Sequence, residues 1–278
     1  VGMFSFCLWD TQQEKGILAR DRQGIKPCYI TYLEDGKSFA FASEIKSLLT
    51  LDGFKSEIDD VSLNLIHSFN YCLPPRTCYK NIYHILPGTF IEFNRKGFTK
   101  EYKYWEWPLS REKEEINLEE FNNILDESIK LQMRFDVNGC LFLSGGVDSS
   151  IIAGHLSKQW NRDSILTFSL NCKEDGYGEY HLAKSVANKI KNINLIPVDY
   201  DFTIVPKNIN EVLFHADQPH GDFSFFLIRE LCKAAHNEGV IVAFNGDGPD
   251  ELLAGFTHNQ EFLLSQTRTN FALSEYFN

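Results

Sequence analysis

The sequence lacks the features that would assign a protein to a membrane, to nucleic acid or to an oxidising compartment. No stretch approaches the roughly 18 apolar residues of a membrane span. Positive charge is scarce, since 27 Lys and Arg face 38 Asp and Glu for a formal net charge of −11, which argues against a broad surface for nucleic acid or anionic lipid. The seven cysteines form no C-x-x-C pair and are spread evenly. We therefore expect reduced thiols in a cytoplasmic protein.

What the sequence does contain is enough apolar material for one large domain or two ordinary ones. It has 278 residues, of which 43% are hydrophobic and 23 are Phe. The chain starts at Val1 inside an apolar stretch, without an initiator Met, and ends at Asn278 just after a new helical pattern. We therefore treat it as a window cut from a longer polypeptide.

Residues 1–105 are rich in strand patterns. Short β-branched or aromatic stretches, punctuated by glycines, predict strands at 1–10, 17–20, 28–33, 39–43, 89–93 and 102–105. Short helices are predicted at 43–49 and 62–70. Residues 106–117 are polar and contain a Pro, which makes them the best linker candidate.

After this linker the pattern changes to alternating strands and helices. Asn117 can cap a helix that continues to about Arg134. Strands are predicted at 139–143, 165–170, 194–198 and 240–245, with helices at about 149–159, 179–191 and 224–238. This alternation predicts an α/β fold with a mostly parallel sheet covered on both faces.

The most specific motif is Ser144-Gly145-Gly146-Val147-Asp148-Ser149, which joins a predicted buried strand to a predicted helix. Its glycines allow a tight turn and close approach of a ligand. The N–H groups at the helix start and the serine hydroxyls favour an anion. Asp148 would repel a bare phosphate, but a Mg²⁺ ion between them would bind both. The loop therefore predicts a phosphate site with a metal ion.

A second Gly-rich turn follows the predicted strand 240–245 and carries Asp247, Asp250 and Glu251 within five residues. In an open parallel sheet, ligands bind at the carboxyl ends of strands. Two such turns on neighbouring strands would bring Asp148 and these acids together around a metal ion. An acidic turn by itself is often a solvated loop, and its pairing with the first motif favours a functional role.

These residues carry a family resemblance. The loop 144–149 resembles the pyrophosphate loop of the ATP-pyrophosphatase superfamily, and with Gly246-Asp247-Gly248-Pro249-Asp250-Glu251-Leu252 it resembles the asparagine synthetase (glutamine-hydrolysing) branch. Segments 2–6, 19–27 and 41–46 are similar to the later part of that family's glutaminase domain. Leu86-Pro87-Gly88, residues 102–105, and Asp217-Gln218-Pro219 with Gly221-Asp222 follow in the same order. The resemblance covers nearly the whole chain.

The resemblance implies a domain order and an activity. Residues 1–105 would be the C-terminal part of a class II glutamine amidotransferase domain, an Ntn-type αββα sandwich. Residues 106–117 would be a linker, and residues 118–278 an incomplete asparagine-synthase-type ATP-binding (PP-loop) domain with a parallel sheet. The enzyme would be a carbon–nitrogen ligase that uses ATP, Mg²⁺ and glutamine-derived ammonia to convert aspartate, or another carboxylate, into an amide through an acyl-adenylate. It would be cytoplasmic, would bind neither nucleic acid nor membrane, and could form a homodimer.

The resemblance also implies site residues. Asp148 and Asp250 match the Mg²⁺ ligands. Asp247 matches an acidic residue near the reacting centre and is the candidate catalytic residue, with a structural role as the alternative. ATP and pyrophosphate would contact Phe142, Leu143, Ser144, Gly145, Gly146, Asp148, Ser149, Leu170, Asn245 and Gly246.

Three departures keep alternatives open. Family members hydrolyse glutamine with an N-terminal Cys, whereas this chain begins with Val1, and we expect Cys7 to be a core residue. Residues 224–232 lack the Pro-Thr-Tyr pattern usual in asparagine synthetases, so a sugar, peptide or β-lactam-precursor carboxylate is the alternative substrate. The later synthetase segments would lie beyond residue 278. A catalytically inactive module is the third hypothesis, and we expect the chain alone to bind nucleotide at best.

Two further clusters need a structural interpretation. Arg20, Asp21 and Arg22 are expected to form an ion-pair cluster that supports the first domain or its junction. His215 and His220 are five residues apart, which misses one helix face, so we do not expect a metal ion there.

Overall fold

The computed structural model describes residues 2–33, 37–108, 117–161, 163–174 and 178–257. The chain divides into two compact units, Val1–Lys113 with Asn208–Phe223, and Glu114–Lys207 with Ser224–Asn278. The predicted boundaries at 105 and 118 stay a prediction, and residues 109–116 of the predicted linker lie outside the described residues. The segment 208–223 groups with the first unit, although the predicted order places it in the second domain.

The first unit contains two antiparallel sheets. One has the strand order β1-β2-β6-β7 and the other β4-β3-β5. The elements are β1 (Ser5–Asp10), β2 (Lys15–Arg20), β3 (Tyr29–Tyr32), β4 (Phe39–Ala42), α1 (Ile45–Leu48), α2 (Asp60–Phe69), β5 (Ile82–His84), β6 (Thr89–Asn94) and β7 (Gly97–Lys103). Strand β5 was not predicted, and the strand predicted at 102–105 overlaps only the last two residues of the longer β7.

The two sheets of this unit share one apolar core. Leu18 of β2 and Ile91 of β6 meet Ile30 of β3 in one cluster. On the other face of the three-stranded sheet, Ile45 and Leu48 of α1 pack on a second cluster. The unit thus has a sheet–sheet–helix layering, which agrees with part of an αββα sandwich.

The expectation that Cys7 is a core residue is wrong. Cys7 is exposed, because β1 lies at the edge of its sheet and five of its six residues are exposed. Cys232 is exposed as well, whereas Cys28, Cys72, Cys78 and Cys140 are buried.

The second unit contains the predicted parallel sheet. Its strand order is β10-β9-β8-β11, and every adjacent pair is parallel. The elements are α3 (Leu118–Gln132), β8 (Gly139–Phe142), α4 (Val147–Gln159), β9 (Ile165–Cys172), α5 (Tyr180–Ala187), β10 (Ile193–Tyr200), α6 (Ile204–Ala216), α7 (Ser224–Asn237), β11 (Val242–Phe244) and α8 (Pro249–Leu253). Helices α6 and α8 were not predicted, and the division between the units falls inside α6.

Helices cover both faces of this sheet, as predicted. Ile129 of α3, Leu156 of α4 and Ala183 of α5 pack with Leu141 on one face. Leu231 and Ala235 of α7 pack with Phe168 on the other. The predicted cap of α3 is confirmed, because the Asn117 side chain accepts hydrogen bonds from the N–H groups of Glu119 and Glu120. Within the part of the chain that the structure describes, we find no helix with the length and apolar character needed to cross a membrane.

Candidate functional site

The loop 144–149 connects the carboxyl end of β8 to the first turn of α4. Strand β8 is anchored by Cys140 and Leu141, whose side chains are completely buried. Beyond its last residue, the Leu143 N–H group donates to the Phe168 carbonyl at 2.9 Å and extends the ladder to β9. The side chain of Leu143 is itself buried in the core. A nucleotide could therefore contact Leu143 only through its backbone.

Hydrogen bonds within the loop fix its conformation. The hydroxyls of Ser144 and Ser149 are 2.9 Å apart, and the Ser144 N–H group donates to the Ser149 hydroxyl at 3.3 Å. The N–H group of Gly146 donates to the Ser144 hydroxyl at 3.2 Å. The Ser150 hydroxyl donates to the Gly146 carbonyl at 2.6 Å. The serines thus shape the backbone before any ligand is bound.

The start of α4 suits an anion. Gly146 is its N-cap residue and offers no side chain to cap the first turn. The N–H groups of such a turn carry the positive end of the helix dipole and attract negative charge. Gly145 has a φ of +86°, and a Cβ atom there would lie 2.4 Å from the backbone nitrogen of Ala183 in α5. Only glycine therefore fits at position 145.

The second motif lies against the first. Strand β11 pairs with β8, so the turn after β11 emerges beside the loop. A Cβ atom at Gly246 would lie 2.8 Å from the backbone nitrogen of Ser149 and 3.2 Å from the Cβ of Asp148. The structure therefore confirms that the two turns are neighbours at the carboxyl edge of the sheet. The roles assigned to their residues stay predictions.

The acidic side chains of the second turn have different environments. Asp247 is exposed and accepts a short hydrogen bond from the Asn245 side-chain amide. Asp250 is half-buried in the first turn of α8, and a Cβ atom at Gly255 would lie only 1.8 Å from its Oδ1. The Gly255 backbone therefore packs directly on the Asp250 carboxylate and limits the rotation of the Asp250 side chain.

The predicted apolar contacts lie at the same edge. Phe142 and Leu170 are half-buried near the ends of β8 and β9 and pack on one cluster. The rings of Phe142 and Phe168 meet edge to face with centroids 6.4 Å apart. They offer an apolar wall of the kind a nucleotide base requires.

The donor set fits the groups implied by the resemblance. Among the described residues, no group of three or more His, Cys, Asp and Glu side chains could hold a metal ion by itself. Mg²⁺ commonly takes one or two carboxylates and completes its shell with phosphate oxygens and water. Asp148 and Asp250 would supply those carboxylates, and the uncapped turn of α4 would bind the phosphates.

Two contacts of the second unit were missed by the sequence analysis. Buried His155 of α4 hydrogen-bonds Asp126 of α3 through Nδ1 at 2.5 Å, and this bond is the main cause of the lowered Asp126 pKa. It holds α4 on α3 and so supports the loop. At the end of β9, the Cys172 thiol donates to the Glu174 carboxylate at 3.1 Å. Burial of the Tyr200 hydroxyl at the end of β10, together with its hydrogen bond to Cys172, raises the pKa of Tyr200 to about 12. No local pattern indicates either contact, because the partners lie on different elements or flank a strand end.

In the first unit, Arg20 and Asp21 support the backbone rather than form an ion pair. The Arg20 guanidinium donates to three carbonyls, those of Gly24, Lys26 and Ile85, at 2.7–2.9 Å. The Asp21 carboxylate accepts from four backbone N–H groups, those of Phe4, Gln23, Ile25 and Lys26. Burial by itself would raise the Asp21 pKa, but these N–H groups outweigh it and lower the pKa.

Comparison with known proteins agrees with this geometry. The family model described as "Asparagine synthase" matches residues 120–277, and that described as "Glutamine amidotransferase domain" matches residues 1–105. Asparagine synthetase (glutamine-hydrolysing) 1 of Bacillus subtilis is 32% identical over an alignment of 267 positions that covers 94% of this chain and 40% of the relative. Amidase chyE of Penicillium rubens is 30% identical over an alignment of 287 positions, gaps included, that covers 95% of this chain and 41% of the relative. The chain spans about half or less of the length of the curated relatives it matches.

Proposed function

Because the chain belongs to the asparagine synthase family, we propose that its second unit binds ATP and activates a carboxylate as an acyl-adenylate, which ammonia then converts to an amide. The observation that carries the proposal is the contact of Gly246 with Asp148 and Ser149. This contact brings the loop 144–149 and the acidic turn together at the carboxyl edge of one parallel sheet, where ligands bind in such folds.

The residues would divide the work in the following way. The first-turn N–H groups of α4 and the Ser144 and Ser149 hydroxyls would hold the pyrophosphate. Phe142 and Leu170 would pack against the base, with the backbone of Asn245 and Gly246 beside it. Asp148 and Asp250 would hold Mg²⁺, which supplies neutralisation of phosphate charge when bound. Catalysis would come mostly from positioning and electrostatics, because the α-phosphate is attacked in line.

Asp247 is the candidate for the reacting centre. It is exposed at the start of the acidic turn, and Asn245 orients its carboxylate. A carboxylate held in this way could accept a proton from the attacking ammonia, which must lose protons to become an amide nitrogen.

We propose aspartate as the substrate and glutamine as the source of ammonia. The match of residues 1–105 to a glutamine amidotransferase domain supports the second assignment. The alternative is another carboxylate, which is favoured by the missing Pro-Thr-Tyr pattern and by an amidase among the relatives. We further propose a cytoplasmic enzyme without nucleic-acid or membrane partners, and a homodimer as its assembly.

The deciding experiment is carboxylate-dependent ATP–pyrophosphate exchange on the full-length gene product. Exchange that requires aspartate would support asparagine synthesis. Exchange that requires another acid, and not aspartate, would overturn aspartate as the substrate but would still support acyl-adenylate formation. Binding of ATP without exchange, across aspartate, sugar and peptide acids, would overturn the adenylation proposal and favour an inactive module.

A further inference from the structure

Three polar side chains at the carboxyl edge of the second unit have no part in the function proposed above. Cys172 is the last residue of β9, Tyr200 is the last residue of β10, and Glu174 follows β9 by two residues. Cys172 and Tyr200 are direct partners in the parallel pairing of the two strands. All three residues are half-buried. Since ligands of an open parallel sheet bind at this edge, the Cys172–Glu174–Tyr200 cluster is in a position to contact one.

The cluster continues the face of the sheet that carries the apolar wall. Successive side chains of a strand point to opposite faces, so Cys172 shares a face with Leu170, and Tyr200 shares that face with Val198. Leu170 and Val198 are themselves paired in register and pack in one apolar cluster with Phe168. The face therefore changes from apolar to polar within two residues of each strand.

Hydrogen bonds give the cluster a defined direction. The Cys172 thiol donates its only proton to Glu174 Oε2 at 3.1 Å. In the hydrogen bond between Tyr200 and Cys172, the hydroxyl must then be the donor and the sulfur the acceptor. The other carboxylate oxygen, Glu174 Oε1, accepts the Phe202 N–H group at 3.2 Å. The thiol proton and the hydroxyl proton are thus both used inside the cluster.

The groups left for a ligand are therefore hydrogen-bond acceptors. The hydrogen bond from Cys172 lowers the Glu174 pKa, so the carboxylate is charged at neutral pH. Burial and the contact with Cys172 raise the pKa of Tyr200 to about 12, so the hydroxyl keeps the proton that it shares with the sulfur. A carboxylate has about four lone pairs and a hydroxyl has two, which leaves lone pairs free on both groups. The nearby Glu179 carboxylate also raises the Tyr200 pKa and adds a second negative charge.

Acceptors at the end of an apolar wall suit the amino edge of adenine. Enzymes that bind a single base pack its face on apolar side chains and hydrogen-bond its edge. Adenine presents an N6–H₂ donor at this edge, where guanine presents the O6 acceptor. An O6 atom would face the lone pairs of Glu174 and Tyr200, whereas the amino group offers a proton to each. The chemistry of the cluster therefore favours an amino group over a keto oxygen.

The cluster lies at a suitable distance from the loop proposed to hold the phosphates. Phe142 pairs with Phe168 in register, and the loop begins two residues after Phe142, whereas Cys172 is four residues after Phe168. At the usual rise and strand spacing, Cys172 is therefore about 7 Å further along the sheet than Ser144 and about 5 Å to one side. Phosphates in the loop would leave the base over Leu170, with its edge at the cluster.

We propose that Glu174 and Tyr200 bind the exocyclic amino group of adenine and thereby make the nucleotide site specific for ATP. Cys172 is a positioning residue, because it acts through the Glu174 carboxylate and the Tyr200 hydroxyl that it connects. The inference rests on the proposed function, since it requires a nucleotide whose phosphates lie in the loop. It goes beyond that function by naming the groups that select the base.

The test is the ratio of the dissociation constants of ITP and ATP, measured with Mg²⁺ on the full-length gene product. ITP carries an oxygen at position 6 of the base in place of the amino group. Direct binding requires no carboxylate substrate, so the result does not depend on adenylation. Asp199→Asn is the matched control for Glu174→Gln. Asp199 is also a carboxylate at this strand end and accepts the Asn171 side-chain amide at 2.7 Å, but on the opposite face of the sheet.

We expect the wild-type protein to bind ATP about 10- to 100-fold more tightly than ITP, the range for one unsatisfied hydrogen-bonding group. Glu174→Gln should lower this preference about tenfold, because an amide can donate to O6 and a carboxylate cannot. Tyr200→Phe should lower it about threefold through the loss of one acceptor. Asp199→Asn should keep the wild-type preference.

Cys172 is tested by rescue with a conservative variant. Cys172→Ala removes the link between Glu174 and Tyr200 and should lower the preference for ATP about threefold. Cys172→Ser, whose hydroxyl can make both hydrogen bonds, should restore it. Amide hydrogen exchange of β9 and β10 should be the same in all three proteins. A loss of preference that Cys172→Ser does not restore would overturn the positioning role.

Equal affinity of the wild type for ATP and ITP, or an unchanged preference in Glu174→Gln, would overturn the proposal, as would an equal loss in Asp199→Asn. Preference for ATP without carboxylate-dependent pyrophosphate exchange would overturn the proposed adenylation and leave the base selection standing. Exchange supported equally well by ATP and ITP would do the reverse. Protein that binds neither nucleotide would overturn both.

Discussion

The N-termini of α1 in the first unit and α4 in the second differ in how their first N–H groups are bound. In the first unit, α1 lacks a cap from its own N-cap residue, and Asp217 binds its first N–H groups from far along the chain. In the second unit, α4 also lacks a side-chain cap, and the neighbouring glycines keep the space beside it narrow and free of side chains. The first N–H groups of α1 thus find their partner within the fold, whereas Gly146 and Val147 at the start of α4 are exposed, and it is for this start that we propose a ligand.

The largest expected effect comes from adding a side chain at Gly145, in the loop 144–149 of the second unit. Gly145→Ala should destabilise that unit by about 2–5 kcal/mol, because alanine is disfavoured at φ +86° and its methyl group would overlap the backbone of α5. The loss in free energy of unfolding is measured by amide hydrogen exchange of β8 and α4.

Gly154→Ala is the matched control, because the same added methyl group meets nothing within 4 Å. A helix-interior glycine replaced by alanine should stabilise the unit by about 0.5–1 kcal/mol. Equal destabilisation by the two variants would show that the loop has no special backbone requirement.

Removal of one charge from the loop tests function without changing the fold. Asp148→Asn should reduce ATP–pyrophosphate exchange by about 100-fold or more, a size typical of a lost electrostatic contact in an active site. The same substitution at Asp136, an exposed residue at the other end of β8, should leave exchange unchanged. If Asp148→Asn exchanged pyrophosphate at the wild-type rate, the proposed Mg²⁺ site would be wrong.

The corresponding change in the first unit should affect stability. Asp21→Asn removes the charge that four backbone N–H groups bind, at a cost of about 1.5–3 kcal/mol. The lowered pKa of Asp21 means that its contribution is complete above the unfolded-state pKa of about 3.9 and is lost as pH falls through the folded-state pKa. Hydrogen exchange of β2 peptides should therefore separate wild type from Asp21→Asn at pH 7 and bring them together in strong acid.

Asp10→Asn is the control for that pH profile. Asp10 accepts two backbone N–H groups, at 2.8 and 2.9 Å, in an exposed turn, so water can replace its bonds. If Asp10→Asn lost as much stability as Asp21→Asn, burial would not be the reason for the strength of the Asp21 contacts.

Local patterns predicted the second unit well and the first unit less well. The strands β8 to β11, the Asn117 cap and the loop 144–149 each have a signal within a few consecutive residues, and the structure confirms these elements. The contact between this loop and the acidic turn was also predicted, because neighbouring parallel strands have their carboxyl ends at the same edge of a sheet.

The features that were missed depend on distant partners. Strand β5 has only three residues, Ile82–His84, and exists because β3 pairs with it. Asp217 looks like an ordinary loop acid until Ile45 and Lys46 are placed beside it. Arg20 and Asp21 suggest an ion pair by their charges, but Arg20 is the last residue of β2 and Asp21 lies just beyond it, and each binds backbone groups of other segments.

The smallest expected effect concerns an exposed helix start that has a cap of its own. Asn117→Ala should destabilise α3 by about 1 kcal/mol, because the N–H groups of Glu119 and Glu120 lose their acceptor. Asn122→Ala, inside the same helix, removes only an exposed bond to the Leu118 carbonyl and should be neutral or slightly stabilising, since alanine is the better helix former. ATP–pyrophosphate exchange should be unaffected in both. A loss of exchange in Asn117→Ala alone would show that the start of α3 contributes to the proposed nucleotide site.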